Sequence, residues 1–255
     1  MAFRHPARID FSKPPSREVA DAIARQNELR TLVSLKDDFG ELKTIAGIDV
    51  GYDLERELTK AVVVLLEWPT LELQISVIAY EKTDFPYISG LLAFREVPAI
   101  LSALACLPQL PDLLMVDGQG ISHPRRMGIA AHLGVLTNLP AIGVAKSRLT
   151  GKHADLPVGK MAQTPLMDKG EMIGTVLRSK DKCNPLYISA GHRISQETAL
   201  DITLRCLRTY RLPEPTRLAD QISKWKLAPL ASEAHVKNPP VEPEDLFTSK
   251  NTDSV

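Results

Sequence analysis

Cysteine is scarce in this chain, with three in 255 residues. Cys106, Cys183 and Cys206 form no CxxC pair and are odd in number, which argues against a disulfide framework and a cysteine zinc site. Net charge is absent too: 31 basic residues balance 31 acidic ones, so no global field draws in a polyanion. No apolar run approaches the roughly 20 residues of a membrane span. The opening MAFRHPARIDFSKPPSRE puts charge and proline where a signal peptide carries an apolar core. The expectation is a cytoplasmic protein with no membrane contact. Low-complexity sequence is confined to a proline-rich, acidic stretch, expected as a flexible tail over residues 229–255 behind one domain over residues 1–228.

Intact phosphate loops are also lacking. Gly118-Gln119-Gly120 begins a GxGxxG pattern, but His123 stands in the third glycine's place. Lys146-Ser147 resembles the end of a Walker motif, but Ala145 replaces the glycine before the lysine. No nucleotide cofactor is expected.

The zero net charge conceals an asymmetry. From Ile121 to Arg217 there are 15 Lys and Arg against 7 Asp and Glu; from Leu227 onward there are 2 against 5. A basic middle suits a phosphate-rich ligand, and equally a solvated face.

Periodicity predicts an amphipathic helix over Glu18 to Leu35, capped by Ser16, then strands over Thr44 to Val50, Lys60 to Trp68 and Leu73 to Glu81. The short link WPTLE makes the second pair a hairpin. An apolar helix follows from Leu91 to Leu107, beginning near Val97 or kinked at Pro98. Strand Asp112 to Val116, helix Pro124 to Thr137 and strand Ala141 to Ala145 form a β-α-β unit. Strands over Met172 to Arg178 and Leu186 to Ser189 and helices over Ser195 to Tyr210 and Pro215 to Lys226 complete the pattern. The expected fold class is α/β: a mixed sheet of three antiparallel strands continued by parallel strands, flanked by helices.

The informative residues are acids. Asp49 sits between Ile48 and Val50 in an expected central strand, where an unpaired charge is costly; on an edge strand it would simply point outward. Asp117 ends the strand LLMVD, where ligands bind in open α/β sheets, or it caps the helix that follows. Taken alone, Glu96 reads as a helix-start acid and Asp220 as a solvated one. Their layout on strand, helix, strand and late helix allows a mixed sheet to gather four carboxylates. Hard cations such as Mg²⁺ use oxygen ligands of this kind.

This layout resembles the ribonuclease H-like nuclease fold. More specifically, GIDVGY, FPYISGLLAFRE, VDGQGISHPRRMGIAAHLG, IGVAKSRL and PEPTRLAD resemble the successive motifs of the endonuclease V family, over about Arg25 to Lys226. The resemblance implies a DNA repair endonuclease directed at deoxyinosine. It would hydrolyse the second phosphodiester bond 3′ to the lesion and leave 3′-hydroxyl and 5′-phosphate ends. It implies Mg²⁺, with Mn²⁺ as a substitute, held by Asp49, Glu96 and Asp117, and by Asp220 at a position that varies between Asp and His in the family. Lys146 would place positive charge beside the transition state, and His123 would lie near the scissile phosphate or the flipped base.

The family's Pro-Tyr-Ile-Pro wedge reads Pro86-Tyr87-Ile88-Ser89 here, so its last proline is lost while the stacking aromatic is kept. Backbone around Gly90, Leu92, Gly118, Gly120 and Leu149 would form the base pocket. Arg125, Arg126, His192 and Arg193 are candidate phosphate contacts, though the arginines could begin a solvated helix and the other pair could cap one. The expected partner is deoxyinosine DNA bound by a monomer, with inosine RNA as an alternative substrate. Another ribonuclease H-like nuclease and a non-catalytic nucleic-acid-binding protein are the competing classes.

Overall fold

A computed structural model of the chain describes residues 17–224. The expected cap Ser16, the end of the last helix at Lys226 and the stretch 229–255 lie outside the described residues.

Three long strands come first: β1 (Thr44–Asp53), β2 (Leu58–Glu67) and β3 (Leu73–Lys82). Short β4 (Leu113–Val116) and β5 (Ala141–Ala145) follow, then β6 (Gln163–Asp168), β7 (Glu171–Leu177) and β8 (Leu186–His192). They form one sheet in the order β3-β2-β1-β4-β5-β8-β7-β6. Only β1, β4 and β5 run parallel to one another; β8, β7 and β6 return antiparallel. The parallel continuation is therefore confined to the centre, the part joined by helical crossovers.

Alternation divides the sheet between two helical layers. Ile45, Val62, Val64 and Met115 face one core with residues of α4 (Gln196–Arg205) and α5 (Glu214–Ser223). Ala46, Ile48, Val63 and Val116 face the other, with residues of α2 (Leu92–Ala105) and α3 (Ile129–Thr137). Burial on both faces explains why β2 reads as a continuous apolar run rather than an alternating one.

Several boundaries differ from the sequence reading. Helix α1 (Arg17–Leu29) gives way to a 3-10 turn over Arg30–Leu32. Helix α2 begins at Leu92 and carries the exposed Pro98 in its interior, so it does not start near Val97. Residues 124–128 are not helical: Arg126 has φ +58° and the extended Gly128 caps α3. Helix α4 ends at Arg205 rather than Tyr210.

The sequence pattern does not announce strand β6. It carries Pro165, which reads as a strand breaker, but the strand is at the sheet edge, where a missing N–H costs no ladder bond. No helix among the described residues is long and apolar enough to cross a membrane.

Candidate active site

The site begins with alternation along β1. Gly47, Asp49 and Gly51 share one face, and the two glycines let α5 lie against the strand. A Cβ on Gly47 would come within 2.0 Å of the Pro215 carbonyl oxygen, and one on Gly51 within 3.0 Å of that of Ser223. Asp49, between them, accepts a hydrogen bond from the Ser223 hydroxyl.

Parallel pairing supplies the second acid. Ile48 is opposite Val116, and the Asp117 amide donates to the Ile48 carbonyl at 2.9 Å. Asp117 thus lies beside Asp49 at the carboxyl end of the central strands. Helix α5 brings Asp220 to the same place. One carboxylate oxygen from each of Asp49, Asp117 and Asp220 lies within 4.8 Å of the others.

Lys146, one residue past β5, bridges Asp117 and Asp220 with its ammonium group. Lys224 donates to the other oxygen of Asp220 at 2.6 Å. For Asp220, burial pushes the pKa up, but the bonds from Lys146 and Lys224 outweigh it and hold the group below the usual carboxylate range. For Asp117, burial and then neighbouring Asp49 outweigh Lys146 and push the pKa up to about 7.

Glu96 approaches from the opposite layer. It is buried on α2, outside the group of three, and accepts a hydrogen bond from the Tyr52 hydroxyl. Burial raises its pKa to about 8 against that bond, with Asp49 and Asp117 adding repulsion. Two acids held above their ordinary range beside a third mark a place where a cation relieves repulsion. The all-oxygen donor set fits a hard divalent ion.

Beside the acids opens a cavity of about 270 Å³. The loop Tyr87 to Gly90 with Leu92 forms one wall, Asp117 to Gln119 with His123 another, and Lys146 to Leu149 a third; Met127 and Gln26 also line it. Tyr87 is 51% exposed, whereas Ile88 is packed with Val19, Ala22 and Leu91. Of the four wedge residues, Ile88 is thus spent on the core, while Pro86, Tyr87 and Ser89 are exposed.

Other candidate residues are used by the fold. Gly120 does not line the cavity; a Cβ there would stand 2.2 Å from the Ala190 carbonyl oxygen. Arg126 is bound to Asp168 and Glu171, each at 2.8 Å, and Arg125 to Gln26 and the Gly90 carbonyl. His192 and Arg193 lie at the far end of β5, where His192 is in register with Ala141; its Nδ1 accepts the Ser34 amide at 3.3 Å, and Arg193 donates to the Asn138 carbonyl and forms an ion pair with Asp38. Each of these four side chains has partners within the protein.

His123 does reach the cavity, but its Nδ1 accepts the Arg125 amide at 3.1 Å and its Nε2 meets the Gly90 carbonyl at 3.0 Å. Burial, then the nearby Arg125 charge, lowers its pKa to about 4, so the ring is neutral. Sequence reasoning missed Tyr52, Lys60, Ser223 and Gln26. Buried Lys60 donates to the Ile222 and Ser223 carbonyls at 2.9 and 3.1 Å and so caps the end of α5. The alternation G-x-D-x-G was the available signal that a helix lies on β1.

Sheet order and acidic centre together define an α/β fold of the ribonuclease H-like class. The sequence profile described as Endonuclease V matches residues 27–221. The chain belongs to the endonuclease V family, a family of nucleases. It is 52% identical over 216 residues to Endonuclease V of Rippkaea orientalis, covering 85% of this chain and 93% of that one. Among solved structures, Endonuclease V from Streptomyces avermitilis superposes with a TM-score of 0.75 at 40% identity, covering 85% of this chain and 95% of that one. The Ciona intestinalis enzyme in complex with a 24mer DNA containing an inosine followed by a ribo-adenosine gives a TM-score of 0.70 at 32% identity, covering 82% and 97%.

Proposed function

We propose that this chain is a DNA repair endonuclease that recognises deoxyinosine, cuts the second phosphodiester bond on its 3′ side and leaves 3′-hydroxyl and 5′-phosphate ends. The observation that carries the reading is the placement of the Asp49, Asp117 and Asp220 oxygens, within 4.8 Å of one another, beside a cavity lined by the exposed Tyr87 and by Gly90, Gly118 and Leu149. The inosine-containing DNA on the Ciona relative supports it.

Asp49, Asp117 and Asp220, with Glu96 beside them, would hold Mg²⁺, or Mn²⁺ in its place. A divalent ion there supplies Lewis-acid polarisation of the phosphate and a more acidic bound water. The protein's own groups do the rest. Lys146 offers an ammonium to the charge that develops on the phosphate oxygens. Tyr87, at the cavity mouth, stacks in the gap left when the base is turned out. Hypoxanthine differs from adenine in O6 and N1–H, which main-chain donors and acceptors along the cavity distinguish without a charged side chain. His123, neutral and bonded at both nitrogens, shapes the wall instead of moving a proton.

The test is a duplex with one deoxyinosine, labelled at either end, incubated with Mg²⁺, Mn²⁺ or EDTA. Mapping and ligation of the products give the bond cut and the end groups. Cutting indifferent to inosine would overturn the lesion reading, and undiminished cutting by Asp49→Ala would overturn the metal assignment. The ribo-adenosine in the Ciona complex favours a second reading, in which inosine RNA is also cut. A ribose in place of deoxyribose at the cut site decides between them, because the two sugars differ only at the 2′-hydroxyl.

A further inference from the structure

Helix α1 buries one stripe, Val19, Ala22, Gln26 and Leu29, at spacings of three and four residues. Three of these are apolar, whereas the fourth, Gln26, is 1% exposed. A buried primary amide is costly unless its groups find partners, and Gln26 finds three. Its Nε2 donates to the carbonyls of Gly90 at 3.0 Å and Met127 at 3.2 Å, and its Oε1 accepts the Nε of Arg125 at 2.6 Å.

The Gly90 carbonyl is the centre of this arrangement. It also receives Arg125 Nη2 at 2.7 Å and meets His123 Nε2 at 3.0 Å. Because His123 Nδ1 accepts the Arg125 amide, the neutral ring carries its proton on Nε2 and donates as well. Three donors from two distant segments thus converge on one oxygen. Gly90, at φ +80°, is the residue at which the Pro86–Ser89 loop turns toward α2. Among the described residues Arg125 forms no ion pair; its cation rests on two neutral oxygens, those of Gln26 and Gly90.

We propose that Gln26 is a specificity-positioning residue: with Arg125 and His123 it clamps the Gly90 carbonyl and sets the separation between the two cavity walls that receive the base. This inference rests on the reading of the cavity as a base pocket. A pocket that discriminates by main-chain groups works only if those groups are held within a fraction of an ångström, which requires a locked supporting layer. Gln26 ties the Gly90 wall to the Met127 floor, and through Arg125 to the 117–126 loop. An undamaged duplex leaves the pocket without its ligand, so its binding depends on backbone contacts that the clamp does not make.

The test measures dissociation constants by fluorescence anisotropy for an inosine duplex and an undamaged duplex of equal length. Asp49→Ala is the parent, so that binding is read without cutting. Gln26→Leu removes all three bonds. Gln26→Glu keeps the shape and gives Arg125 a carboxylate, but loses both N–H donations, and it serves if the leucine variant does not fold. Each is expected to weaken inosine binding about tenfold and to leave the undamaged duplex and its salt dependence unchanged. Arg125→Met is expected to do the same, and the Gln26/Arg125 double variant to lose little more than either single one, because the groups act as a unit.

A preserved preference for inosine, or a parallel loss on both duplexes, would overturn the clamp. So would a lower salt slope in Arg125→Met, which would make Arg125 a phosphate contact. If the parent itself shows no preference for inosine, the base-pocket reading fails and the clamp fails with it. If the parent prefers inosine and the variants do too, the clamp alone fails.

Discussion

Gly47 and Pro215 are in backbone contact: a methyl group on Gly47 would stand 2.0 Å from the Pro215 carbonyl oxygen. The grouping of the three carboxylates depends on this approach, because α5 carries both Asp220 and Ser223. Gly47→Ala forces α5 outward. The expected result is a loss of at least about 1–3 kcal/mol of stability, typical of overpacking, together with weaker Mg²⁺ binding. Gly51→Ala, whose added carbon meets Ser223 at 3.0 Å, should cost less of both. Urea denaturation and calorimetric Mg²⁺ titration check this, and equal behaviour of the two variants would count against it.

Lys146 bridges Asp117 and Asp220 with the charge that a metal would otherwise supply. Lys146→Met should lower kcat at least about 100-fold, the scale for losing a group that stabilises transition-state charge, without weakening Mg²⁺ binding. A parallel loss of metal affinity would instead mean that the lysine serves to hold the carboxylates in place. Single-turnover cleavage with a Mg²⁺ titration separates the outcomes.

Tyr52 supplies the hydrogen bond that lowers the pKa of buried Glu96. Tyr52→Phe removes it, so the Glu96 pKa should rise further above about 8. At pH 7 the acid is then harder to ionise, and Mg²⁺ binding should weaken several-fold while recovering as pH rises. Metal affinity measured from pH 6.5 to 9 tests this; a pH-independent loss would refute it.

His132 is 5% exposed, its Nδ1 has no hydrogen-bond partner, and it meets the Phe94 ring edge-on at 5.2 Å. Burial, with some repulsion from Arg25, lowers its pKa from 6.5 to about 4. As pH falls below 6.5 the unfolded chain takes up this proton while the folded one refuses it, so stability is lost down to about pH 4. A shift of this size corresponds to about 3 kcal/mol. His132→Leu should therefore gain stability relative to the parent by that order between pH 7.5 and 4. Chemical denaturation of both proteins at the two pH values checks it, the difference cancelling groups they share.

Much of the centre was legible in the chain itself. Asp49 within GIDVG and Asp117 at the end of LLMVD are acids at the margins of apolar strands, and an ionised group there needs a reason that local chemistry does not provide. The strands β2, β4 and β5 were readable because burial on both faces gives them runs of consecutive apolar residues. Strand β6 was hidden by Pro165, whose tolerance depends on an edge position that only the sheet order reveals.

Partner choice was not legible. Arg125 and Arg126 in HPRRMG look like phosphate ligands, yet the Arg125 guanidinium bonds Gln26 and Gly90, 99 and 35 positions away, and that of Arg126 bonds Asp168 and Glu171, 42 and 45 positions away. A basic side chain has the same character in either role, and what it binds is set by which group the fold holds at hydrogen-bond distance. The sequence determined the apolar patterns, the acids and the central strands; only tertiary structure decided the sheet edge and which partners the cations take, because Coulomb and hydrogen-bond energies depend on separation in space and not along the chain.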